Sequence, residues 1–219
     1  MELKNKIINF LGDSITEGCG TSGPDARFSS LIEKRCGLKR ANNYGIGGTR
    51  IARQQVKKYG LVDEQDFCVR CLDMDKEADI IIVMGGTNDH GHGDAPIGTP
   101  ADRTPDTFHG ACHTMMRSLL ETYPKATIVI CTPLHCWCEN DPRGAVGKPE
   151  DVAVLAEYVE IIRQTADYYS LPVLDLWKIS GIQPAVPTIK ECYMPDGCHP
   201  NDAGHMILAD RIIGFLTAL

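Results

Sequence analysis

The stretch "KIINFLGDSITEG", residues 6–18, sets a short apolar run against a Gly-Asp-Ser turn. An apolar run of this length, rich in Ile and closed by Gly12, predicts a buried strand. Serine after Gly-Asp is ordinary turn chemistry, so Ser14 reads in two ways. It is either a turn residue closing the strand or a nucleophile held at the mouth of a site. Partners elsewhere in the chain must decide.

Outward from this stretch, "IIIVMGG" (80–86), "TIVICTP" (127–133) and "LPVLDL" (171–176) repeat the pattern of a buried strand bounded by Gly or Pro. The more polar "RANNYG" (40–45) predicts a short or edge-like strand. Amphipathic stretches lie between and after them, at 26–36, 51–58, 63–77, 106–122 and 150–169. In the terminal stretch "NDAGHMILADRIIGFLTAL" (201–219), Met206, Ile207, Ala209, Ile212, Ile213 and Leu216 mark a helix docked by one face. Strands alternating with helices predict βαβ units and a mostly parallel sheet covered on both faces. The site of such a sheet sits beyond the carboxyl ends of its strands. Three stretches, 87–105, 133–149 and 178–200, read as loops converging on that rim. With 219 residues and no linker or repeat, one domain over 1–219 is the economical expectation.

Composition excludes some partners. The formal net charge of −7 lacks the basic excess that phosphate backbones attract, so no nucleic-acid partner is expected. The longest uncharged stretch, "ATIVICTPLHCWC", is too short to span a bilayer. The amino terminus lacks the longer apolar region of a signal peptide. Ten cysteines show no compact disulfide framework, which predicts free thiols and a cytoplasmic, reducing location. Oligomeric state is not legible.

A serine hydroxyl becomes a nucleophile when a base takes its proton and a third group orients that base. "PDGCHPNDAGH" (195–205) places Asp196 three residues before His199 in a turn ahead of the last helix. A carboxylate there can accept Nδ1–H and present Nε2 outward; the alternative is polar decoration of a helix-entry loop. Asp202 and His205 repeat the spacing, but inside the predicted helix, where i and i+3 are surface neighbours. Pro200 keeps His199 in loop geometry, which favours His199. "NYGIGGTR" (43–50) offers bare backbone for close approach to a ligand, and "GGTNDHG" (85–91) offers the amide of Asn88. Each is also a common turn former.

Taken together and in this order, "GDS", the Gly of "NYGIGG", "GGTND" and "DGCHPN" resemble the four sequence blocks of the GDSL-type or SGNH hydrolase superfamily. The resemblance runs from residue 12 to about 204, and Ile15 stands where the family's name-giving Leu usually sits. It implies a three-layer α/β/α, flavodoxin-like fold with a central five-stranded parallel sheet. It also implies a serine esterase acting on a small-molecule ester. Carried over by motif, Ser14 would be the nucleophile, His199 the base and Asp196 its orienting carboxylate. Ser14 N–H, Gly48 N–H and Asn88 would form the oxyanion hole, with Gly47 or Gly45 one alignment step away from Gly48. No cofactor and no metal are implied.

Rival constellations are weaker. "GCGTSG" (18–23) fits G-x-G-x-x-G, but Pro24 and Asp25 follow where a helix should open, and no acidic residue ends the second strand. His90, His92, His109 and His113 gather near one another, and His135, Cys136 and Cys138 add soft ligands. They lack a clean second half for structural zinc. Cys68 and Cys71 fall in helical patterning and read as buried packing. His90 or His92 could line the pocket beside Asn88, His90 being the first choice. Trp137 and Arg143, with Arg103, are candidates to contact a polar leaving group. The rim loops carry few long apolar side chains, which points to a short acyl group, acetyl for example, on a sugar or polyol. Lysophospholipase, thioesterase, acyltransferase and non-catalytic binding roles remain as alternatives.

Overall fold

The computed structural model describes residues 1–58 and 60–219. Five strands, β1 (Ile7–Gly12), β2 (Arg40–Gly45), β3 (Ile80–Met84), β4 (Thr127–Cys131) and β5 (Val173–Leu174), pair in the order β2-β1-β3-β4-β5. Every pair is parallel, with β1 at the centre of the β2 and β3 pairings (Leu11 opposite Tyr44 and Val83). The helices are α1 (Ser14–Glu17), α2 (Phe28–Cys36), α3 (Phe67–Arg70), α4 (Thr87–Gly91) and α5 (Phe108–Thr122). They continue with α6 (Leu155–Tyr168), α7 (Leu176–Ile179), α8 (Pro187–Tyr193) and α9 (Asp202–Ala218).

Strand alternation sends neighbouring side chains to opposite faces and so divides the interior into two layers. Ile7, Leu11, Ile81, Val83, Ile128 and Ile130 pack with residues of α3, α5 and α6. Ile8, Phe10, Ile80, Ile82, Met84 and Val129 pack with α2 and α9 on the other face. The result is the expected three-layer α/β/α arrangement around a five-stranded parallel sheet.

Several elements differ from the sequence expectation. The strand expected over 171–176 is cut to two residues because Asp175 accepts a hydrogen bond from Lys178 N–H and caps α7. No helix forms over 51–58, since the local backbone bonds go elsewhere. Ile51 and Ala52 donate to the Asp89 carboxylate, and Arg53 N–H donates to Pro105 O. The stretch 63–77 supplies only α3, preceded by a 3-10 turn at Gly60–Glu64. The presumed loops 87–105 and 178–200 contain α4 and α8.

The second Asp-x-x-His pair belongs to the scaffold. His205 is fully buried, and its Nδ1 accepts the N–H of Phe28, capping α2 where Arg27 gives no side-chain cap. Its ring stacks on Phe28 with centroids 5.6 Å apart. Asp202 accepts from both the N–H and the hydroxyl of Ser22, tying the 18–23 loop to α9. Among the described residues, no helix is long and apolar enough to cross a membrane.

Candidate active site

Beyond the carboxyl end of β1, Asp13 accepts the N–H of Ile15 and caps the four-residue α1, which places Ser14 at its first position. The first N–H groups of a helix have no intrahelical acceptor, so the Ser14 N–H is left for a partner outside the helix. The turn is tight: a Cβ on Gly12 would lie 1.9 Å from Thr16 Oγ1. Burial raises the Asp13 carboxyl to about 6 against the lowering effect of the Ile15 N–H.

Ser14 Oγ lies 2.9 Å from His199 Nε2, and His199 Nδ1 lies 2.6 Å from Asp196 Oδ2. The other oxygen of Asp196 accepts the N–H groups of Cys198 (2.8 Å) and His199 (2.7 Å). Partial burial alone would raise this carboxyl, but those N–H groups and the imidazole outweigh it and hold Asp196 below the usual carboxylate range. An anionic Asp196 keeps the proton on Nδ1, leaving the Nε2 lone pair for the serine hydroxyl.

Two further groups line the same cleft. Gly48 adopts φ +74°, a left-handed conformation natural to glycine. Its neighbours are committed: Gly47 N–H donates to Glu17 Oε2 (2.7 Å) and Gly45 N–H to Asn43 Oδ1 (2.8 Å). Of the three glycines, Gly48 is the one that lines the cleft. Asn88, in α4, donates one Nδ2 hydrogen to Thr49 O (3.0 Å), leaving its second hydrogen for a ligand. The cleft holds about 590 Å³, with Ser14, His199, Gly48 and Asn88 on its floor and Trp137 and Ala145 among its walls.

Of the expected lining residues, Trp137 is present and His90 and Arg143 are not. His90 is fully buried, with Nε2 2.9 Å from the Asp141 carbonyl. Arg143 spends its guanidinium on the carbonyls of Lys148 and Gly147. Arg103 lies in a separate depression with His109 and His113. The residue beside Asn88 is His92. Because 87–91 is helical, the side chain four positions on shares Asn88's face and the one two positions on does not.

Sequence reasoning offered His92 beside Asn88 but missed its hydrogen bonds and the arginines behind these groups. His92 Nε2 lies 3.0 Å from Asn88 Oδ1, and His92 Nδ1 lies 3.2 Å from Arg50 Nη1. Arg50 in turn pairs with Asp63 in the interior and donates to Gly48 O. Burial, with the Arg50 guanidinium adding to it, lowers His92 to about 4. Arg70 donates to the carbonyls of Gly12 and Tyr44, bracing the ends of β1 and β2 beside the site. Arg70 acts across the fold, while Arg50 and His92 stand near Gly48 and Asn88 in sequence without a pattern that pairs them.

The chain matches the model of the GDSL-like Lipase/Acylhydrolase family over residues 10–207. It is 24% identical over 219 residues to the GDSL lipase Rv0518 of Mycobacterium tuberculosis, covering 96% of this chain and 81% of that protein. A solved protein from Lactobacillus plantarum is 28% identical, with TM-score 0.83 and 98% of both chains covered. A two-domain esterase active on acetylated mannans shares the fold at 22% identity and TM-score 0.62, over 97% of this chain and 49% of its own. The chain therefore belongs to the GDSL-like lipase/acylhydrolase family and is a carboxylic ester hydrolase of the SGNH type.

Proposed function

We propose that this hydrolase cleaves short-acyl esters, acetyl above all, of a sugar or polyol through an acyl-Ser14 intermediate. The observation that carries the reading is the chain of contacts from Ser14 Oγ to His199 Nε2 and from His199 Nδ1 to Asp196. Ser14 attacks the ester carbonyl as its proton passes to His199 Nε2, and the anionic Asp196 stabilises the imidazolium. The tetrahedral oxyanion rests on the N–H groups of Ser14 and Gly48 and on the free Nδ2–H of Asn88. Its collapse breaks the ester C–O bond, and the alcohol departs with the proton from His199. Water then enters by the same steps and releases the acid.

Substrate size follows from the walls. Among the described residues lining the cleft are the small Gly91 and Ala145 and no Leu, Ile, Val, Met or Phe side chain to grip a long chain. Trp137 is 60% exposed at the rim and offers a flat face to a sugar ring. The named activity of the acetylmannan esterase is in keeping with this alcohol class. One observation favours a longer acyl chain instead. A second cavity of about 680 Å³ shares His92 with the cleft and is lined in part by Val56, Ile97, Val146 and Val152.

Hydrolysis of p-nitrophenyl acetate, butyrate and octanoate, with an acetylated mannoside alongside, tests both readings. Acetate and the mannoside should turn over fastest, and Ser14→Ala should lower the rate by about 10⁴-fold or more. Faster turnover of octanoate would overturn the short-acyl reading and place the acyl chain in the second cavity. Undiminished activity in Ser14→Ala would remove the nucleophile assignment.

A further inference from the structure

Two cysteines and a histidine outside the Ser14–His199–Asp196 chain meet in the interior. Cys136 and Cys138, on the loop after β4, hold their sulfurs 3.6 Å apart. A ring nitrogen of His90 joins them, the three ligand atoms lying within 4.8 Å of one another. All three residues are buried. A carbonyl only accepts, so the contact with Asp141 O puts the His90 proton on Nε2 and the lone pair on Nδ1. That Nδ1 is buried without a hydrogen-bond partner. An unsatisfied buried acceptor is uncommon, and this one belongs to a residue clustered with two thiols.

We propose that His90, Cys136 and Cys138 form a binding site for a thiophilic cation of the Zn(II) or Cu(I) class. One imidazole and two sulfurs are soft donors that disfavour Mg²⁺ and Ca²⁺. The spacing fits with little movement: metal–sulfur bonds of about 2.3 Å at a tetrahedral angle put the sulfurs about 3.8 Å apart. A disulfide would need them at about 2.05 Å, a much larger displacement. Each thiol that binds loses its proton to solvent as its sulfur takes up the metal. Cys138 also lines the cleft, so a water can supply a fourth ligand to zinc from that side. Three ligands alone satisfy Cu(I).

Position gives the site a consequence. Trp137, between the two cysteines, donates its N–H to Gly197 O (2.9 Å), inside the turn that carries Asp196 and His199. His90 sits two residues after Asn88 in α4. A cation bound here fastens the Asn88 helix to the segment that buttresses the His199 turn, without entering the ester chemistry.

Co(II) titration of the reduced, chelator-treated protein tests the proposal. About one equivalent should bind, with thiolate-to-cobalt absorption in the near ultraviolet and release of about two protons. Zn(II) should displace the cobalt, and a chromophoric Cu(I) chelator reads the copper arm. Cys136→Ser, Cys138→Ser and His90→Gln should each weaken binding by about 10²-fold or more, while Cys192→Ser, on the exposed α8, should leave it unchanged. Should a variant fail to fold, mapped alkylation of the wild type replaces it, with Zn(II) expected to protect Cys136 and Cys138 selectively. The absence of both a thiolate–cobalt band and Cu(I) uptake, or binding that survives all three substitutions, would overturn the proposal.

Discussion

His92 Nε2 meets Asn88 Oδ1 at 3.0 Å, and this contact decides which way the Asn88 amide faces. Arg50, always a donor, occupies Nδ1 of the same ring, so the proton of neutral His92 resides on Nε2. An N–H there donates to the amide oxygen, which leaves Nδ2 for Thr49 O and the cleft. The oxyanion role proposed for Asn88 thus depends on the His92 ring that fixes its amide. Asn88→Ala should lower kcat by about 10²–10³-fold. His92→Ala should lower it by about 10-fold or more with little change in KM, because an unfixed amide still donates part of the time. In the Asn88→Ala background the His92 substitution should have almost no further effect, a non-additivity that a double-mutant cycle measures. Additive losses would separate the two residues.

Asp196→Asn tests the other end of the proposed chain. The amide keeps the shape of the carboxylate but no longer forces the His199 proton onto Nδ1. The expected loss in kcat is about 10³–10⁴-fold with KM nearly unchanged. Steady-state kinetics on p-nitrophenyl acetate reads it, and a loss below about 10-fold would show that Asp196 serves the turn rather than the imidazole.

The sheet was legible because its strands are continuous apolar runs bounded by Gly or Pro, a pattern that survives without tertiary information. The residues clustered at the site were legible because Ser14 and the Asp196–His199 pair each sit in a distinctive local turn. What failed had causes that the apolar pattern does not carry. Ile51 and Ala52 look helical, but their N–H groups go to Asp89, 38 and 37 positions away. His90 and His92 have similar local surroundings, and only the helicity of 87–91 sends one inward and the other beside Asn88. The 171–176 run looks like a full strand until Asp175 turns to cap α7. Likewise the meeting of His90 with Cys136 and Cys138 was not legible, because it is made across the fold.

Acid stability follows from His205. Burial lowers this histidine to about 4 from its ordinary 6.5, so between those values the unfolded chain binds the proton more readily than the folded one. Stability therefore rises with pH through that window and is lost as pH falls from 6.5 toward 4. Asp13 and Asp89 slope the opposite way, since burial raises both to about 6 and their neutral forms favour the fold at low pH. A difference between proteins isolates the histidine. His205→Gln keeps an acceptor for Phe28 N–H but cannot titrate. Relative to wild type, it should gain about 2–3 kcal/mol between pH 7.5 and pH 4.5 in urea unfolding. An unchanged difference would mean that His205 does not titrate on unfolding in this range.

Gly48→Ala separates backbone strain from crowding. A Cβ at this position would meet only Val62 Cγ1, at an ordinary 3.5 Å, so space is available. The penalty comes from φ +74°, which an alanine holds at a cost of about 1–2 kcal/mol. Relaxing that strain rotates the peptide and swings the Gly48 N–H away from the cleft, while Gly47 N–H stays bound to Glu17 and cannot replace it. The variant should therefore melt a few degrees lower and lose about 10-fold or more in kcat, with substrate affinity largely kept. Gly47→Ala provides the contrast. Its Cβ would lie 2.9 Å from Glu17 Oε2, the movable end of a side chain, and its φ is not in the left-handed region. If Gly47→Ala lost the greater share of kcat while keeping its melting temperature, the donor would have to be reassigned from Gly48 to Gly47.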